Sequence, residues 1–168
     1  MKKIKLDTKK LTTISSLIAV AMILSYVESM IPAFVAVPGV KVGLSNIATI
    51  FALYTIGWPY AICVSLVRVF LSALLFGNTV SLIYSLSGAC LALLVMILLK
   101  KFDLFSSVGI SVAGGVFHNA GQIIAACIVM RTTAISLYII PLAISGTIAG
   151  VVIGIIAGIL VKRIKKYI

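Results

Sequence analysis

Apolar residues dominate the chain in six long runs, and short polar or turn-forming stretches separate them. The runs cover 11–31, 42–57, 59–75, 79–99, 104–130 and 134–161. About 20 largely apolar residues make one membrane-spanning helix, so the pattern predicts an all-α integral membrane protein: one domain over 1–168, folded as a six-helix bundle. Pro32 ends the first run. Gly57, Trp58 and Pro59 make a tight connection after the second, and Phe76-Gly77-Asn78 reads as a turn after the third. The last run is overlong and predicts a tilted helix or one that starts outside the lipid core.

Composition agrees. The 168 residues are 62% hydrophobic and 10% charged, with mean hydropathy +1.30. A soluble domain carries roughly 25% charged residues, so too little polar surface exists here to cover a water-soluble globule. The net charge of +11 would suit nucleic acid, but its placement excludes that reading. Five lysines precede the first run, Lys100 and Lys101 follow the fourth, and four cations follow the sixth, whereas Lys41 and Arg131 alone mark the other side. By the positive-inside rule both termini are expected in the cytoplasm, with the bilayer of a bacterial-type cytoplasmic membrane as the surroundings.

The polar residues that interrupt the runs carry the chemistry. Arg68 lies near mid-depth in the third run, with Ser65 and Ser72 on its helical face. A charge there costs at least roughly 2.5–3.5 kcal/mol unless it faces protein or water. Glu28, near the outer end of the first run, is the one acid inside any run and is expected to gate the site or pair with Arg68. His118, Asn119 and Gln122 share a flank of the fifth run among several glycines. Lys41, Asn46 and Asn78 sit at the outer ends of their runs. Together Lys41, Asn46, Arg68, Asn78, His118, Asn119 and Gln122 form a candidate cup for a small anionic or carbonyl-rich molecule. Flavins, phosphates and carboxylates all remain open.

Catalysis by this chain alone is not expected. Its three acids, Asp7, Glu28 and Asp103, make no aspartate-rich magnesium motif, and no phosphate-binding loop is present. Cys63, Cys90 and Cys127 lack metal-ligand spacing. No metal, cofactor or catalytic residue is expected. Gly146, Gly150, Gly154 and Gly158 make a small-residue stripe on the last run, which allows close packing within the bundle or against another subunit.

The stretches Val37-Pro-Gly-Val-Lys-Val-Gly-Leu-Ser-Asn-Ile-Ala-Thr49, Phe76-Gly-Asn78 and His118-Asn-Ala-Gly-Gln122 resemble the membrane family called heptaprenyl diphosphate synthase component I, or Gx transporters. Arg68, ten residues before Asn78, also resembles an arginine of that family. The family in turn is similar to the S components of energy-coupling-factor transporters. That resemblance implies a substrate pocket open to the outside and gated by the loop between the first two helices. It also implies a transmembrane scaffold subunit and two cytoplasmic ATPases as partners. S components commonly dock through Ala-x-x-x-Ala on the first helix. Here the matches are Ser15-x-x-x-Ala19 and Ala21-x-x-x-Ser25, a departure from that pattern. The family's name implies a second role, a non-catalytic membrane subunit of a prenyl diphosphate synthase.

Overall fold

The computed structural model describes residues 8–30, 43–103 and 105–164, and all of its regular structure is helical. The helices are α1 (Thr8–Met30), α2 (Asn46–Thr55), α3 (Trp58–Phe76), α4 (Thr79–Phe102), α5 (Ser107–Met130) and α6 (Ile139–Ile164). A short 3-10 segment, η1 (Ala134–Tyr138), leads into α6. It splits the overlong last run in two. Pro141 falls in the first turn of α6, where a missing N–H costs no helix bond.

Five of the helices, with η1 extending α6, are long and apolar enough to cross a membrane. Their outward faces carry large apolar side chains such as Ile23, Leu94, Ile124, Ile128, Ile148 and Ile155, all exposed. In water such a surface would be costly; in lipid it is the solvated one.

α2 differs from the expected run 42–57. Its ten residues rise about 15 Å, half of a hydrocarbon core near 30 Å thick. The cause is backbone conformation at both ends. Gly43 (φ 75°) and Gly57 (φ 105°) occupy the left-handed region, which ends regular helix on either side and which glycine adopts without strain. Seven successive α2 residues, Ile47–Leu53, are buried, so this helix is enclosed on all sides. It packs against α1, α3 and α6, while α4 and α5 complete the wall.

The end of the bundle that holds Thr8 and Ile164 is called basal below, and the opposite end distal. Lys100, in the last turn of α4, donates to the Leu53 carbonyl at the basal end of α2. Its Nζ also stands 4.7 Å from the Tyr54 ring centroid. A cation at a helix C-terminus complements the negative end of the dipole. α2 therefore fills the basal half of the bundle centre, and its N-terminus stops at mid-depth.

Glycine sets the spacing of α4, α5 and α6. A Cβ on Gly150 would lie 2.6 Å from Val112 Cα, and one on Gly154 2.7 Å from Val108 Cα. A Cβ on Gly146 would meet the Gly115 carbonyl oxygen at 2.9 Å, and one on Gly158 would meet Ser107 Oγ at 2.8 Å. The stripe of α6 thus faces α5 inside the bundle. Gly88 and Gly121 do the same for α4 and α5: a Cβ on Gly121 would lie 2.9 Å from Gly88 Cα. Ser15 and Ala19 of α1, by contrast, are exposed.

Candidate functional site

The α2 N-terminus opens onto a cavity of about 40 Å³ in the middle of the bundle. Space of this size holds a few water molecules. Arg68 enters from α3, Met96 from α4, and His118 and Asn119 from α5. Gly146 and Gly150 pave the α6 side. Ser45 and Asn46 stand at the floor, at the start of α2.

Arg68 is the charge at the centre. Its Nη2 donates to Asn46 Oδ1 across 3.3 Å. Its Nε is fully buried and has no hydrogen-bond partner among the described residues. A buried donor without an acceptor costs roughly 1–3 kcal/mol, more when charged. Arginine also presents its donors in a planar fork suited to carboxylate or phosphate. The positive end of the α2 dipole adds to this field. The first N–H groups of α2 contribute less directly, because Asn46 N and Ile47 N already donate to the carbonyls of Gly43 and Leu44 at 2.9 and 3.1 Å.

Glu28 is tied in from α1. Its carboxylate accepts the Gly43 backbone N–H and so fixes the chain three residues before α2 begins. Its hydrogen bond among the described residues is to that backbone, while its charge acts on the Arg68 guanidinium from a distance.

Asn46, Arg68, His118 and Asn119 therefore meet at one cavity. Asn119 donates from Nδ2 to the Leu142 carbonyl of α6 at 2.7 Å, a buried bond. Gln122 stands apart. It lines a second, distal cavity of about 460 Å³ between α4, α5, η1 and the start of α6. The α4 backbone comes close to both residues at Gly88, where a Cβ would lie 3.0 Å from Gln122 Cγ and 3.1 Å from His118 Cδ2. Asn78 belongs to neither cavity. Its side chain accepts from Ser81 N at 2.8 Å and its N–H donates to Ser81 Oγ at 3.0 Å, a capping box that starts α4. Lys41 lies outside the described residues.

Sequence reasoning also missed several participants. Met96 reaches the cavity through the gap that Gly114 leaves, where a Cβ would lie 2.6 Å from its Sδ. Ser111 carried no motif, and Ser45, inside the stretch 37–49, was not singled out. Among the described residues no group of three or more His, Cys, Asp or Glu side chains is placed to hold a metal ion.

Fold and site together define a class: an all-α, multi-pass membrane protein with an arginine-bearing polar cavity inside its bundle. More narrowly, the chain belongs to the heptaprenyl diphosphate synthase component I family, whose model matches residues 17–160. Searches of curated proteins and of solved structures gave no match.

Proposed function

We propose that this chain is the substrate-binding membrane component of a transporter of the energy-coupling-factor type, and that its substrate carries an anionic group. The observation that supports this most is Arg68, whose buried Nε has no acceptor among the described residues and stands beside the N-terminus of a half-length helix. Half-helices that end at mid-membrane, with the positive dipole end aimed at an anionic group, are a recurrent way to bind substrates in transporters. In this reading both termini are cytoplasmic, the distal end faces outward, and the chain performs no catalysis. Energy comes from cytoplasmic ATPases through a membrane scaffold subunit.

The family description favours a second reading, a non-catalytic membrane subunit of a heptaprenyl diphosphate synthase. Affinity purification of the tagged chain from the cells that make it separates the two. Co-purified ATPases with a membrane scaffold, and ATP-dependent uptake that requires this chain, are expected for transport. Co-purification with a soluble aspartate-rich prenyltransferase whose activity falls without this chain would replace transport with the accessory role.

A further inference from the structure

The distal cavity is built differently from the central one. α4 and α5 touch backbone to backbone where Gly88 meets Gly121, and the cavity lies distal to that crossing, with η1 and Leu142 on its far side. Its volume, about 460 Å³, falls in the range of small-molecule sites, roughly 300–1,000 Å³. Ile123, Ala126, Met130, Ile135 and Leu142 make most of the wall apolar. Gln122, Tyr84 and Tyr138 add hydrogen-bonding groups from three elements.

Very little separates this cavity from the one at Arg68. Asn119 lines the central cavity, Leu142 lines the distal one, and the two are joined by the 2.7 Å hydrogen bond from Nδ2 to the Leu142 carbonyl. His118 of the central cavity and Gln122 of the distal one both lie close to Gly88, where a Cβ would meet either side chain within 3.1 Å. The central cavity alone, about 40 Å³, accommodates an ionic group and not a whole metabolite. The distal one offers no charge but ample apolar wall. The two are complementary halves.

We propose that the two cavities form one site for an amphipathic anion, with the ionic head at Arg68 and the apolar body in the distal cavity. Asn119 is the partition between them, and its amide trades the Leu142 carbonyl for a polar atom of the bound molecule. This assignment rests on reading Arg68 and α2 as an anion site. Arg68 neutralises the head, and the distal wall buries the body. Gln122 and the two tyrosines select among bodies by hydrogen bonding.

The full chain in phosphatidylcholine nanodiscs is titrated with inorganic phosphate, ethyl and butyl phosphate, the matching carboxylates, and butanol. Affinity is expected to tighten about fourfold per methylene in whichever anionic series binds, given roughly 0.8 kcal/mol per buried CH₂. Arg68→Gln is expected to weaken every binding anion at least tenfold, and Ala126→Phe to erase the chain-length gain. Ile135→Phe, on the opposite wall, gives the same readout if Ala126→Phe does not fold. Arg68-dependent binding with no chain-length gain would leave the anion site standing and overturn the joined cavities. A gain shared by butanol and retained in Arg68→Gln would assign the distal cavity to lipid chains and likewise overturn the proposal. Absence of binding by any anion would remove the anion site itself.

Discussion

Arg68 Nη2 donates to Asn46 Oδ1 across 3.3 Å, which joins the middle of α3 to the first residue of α2, 22 positions earlier in the chain. The contact places a guanidinium at the buried start of a half-length helix. Its Nε is left with no acceptor among the described residues. Arg68→Lys keeps the charge but loses the fork, and the Asn46 contact draws on that geometry. Ligand affinity is expected to fall at least tenfold in Arg68→Lys and further in Arg68→Ala, as measured by equilibrium titration. Equal affinity in Arg68→Lys and wild type would reduce the arginine to a point charge.

Glu28 sets where α2 begins, because its carboxylate holds the Gly43 N–H. Glu28→Gln keeps an oxygen acceptor there and Glu28→Ala does not. Hydrogen bonds to charged groups contribute roughly 1.5–3 kcal/mol. Amide exchange at Gly43 and the first turn of α2 is therefore expected to accelerate about tenfold or more in Glu28→Ala, with Glu28→Gln between it and wild type. Unchanged exchange in Glu28→Ala would mean that the helix start does not depend on α1.

Gly150 and Gly158 belong to one stripe but face different neighbours. A Cβ on Gly150 meets the Val112 backbone at 2.6 Å, whereas one on Gly158 meets only the Ser107 hydroxyl at 2.8 Å. Backbone cannot swing aside and a serine rotamer can. Gly150→Ala is expected to cost roughly 1–3 kcal/mol through overpacking, and Gly158→Ala clearly less. Thermal unfolding of the two variants in one detergent checks the order.

Lys100 and Lys101 are neighbours with different tasks. Lys100 reaches the Leu53 carbonyl and the Tyr54 ring, while Lys101 is exposed. Lys100→Met is expected to destabilise the protein by about 1 kcal/mol through loss of the bond and the dipole interaction. Lys101→Met is expected to stay within about 0.5 kcal/mol of wild type. Equal effects in a denaturation series would contradict the cap.

The five membrane-length helices were legible because length and hydropathy alone define them. Mid-depth Arg68, and the flank shared by His118 and Asn119, were legible from helical spacing. The short α2 was not. Residues 42–57 read as one apolar run, and the positive φ of Gly43 leaves no mark on hydropathy. Glu28 and Lys100 were harder still, since each bonds to backbone, which every residue offers alike. Gln122 shares the helical flank of His118 but lines the distal cavity instead, a division made by how α4 and η1 pack against α5, which only tertiary structure supplies. Asn78 illustrates the reverse case: a polar residue at a helix edge used as a cap, with Ser81 three positions on as the available signal.

The central claim is that Arg68 and the start of α2 hold the anionic group of a small molecule. Native mass spectrometry of the protein purified from the cells that make it tests this most directly, with wild type and Arg68→Gln compared side by side. A small anionic species bound to wild type and absent from Arg68→Gln is the predicted result. Wild type without any bound anion, or the same species at equal occupancy in Arg68→Gln, would contradict it.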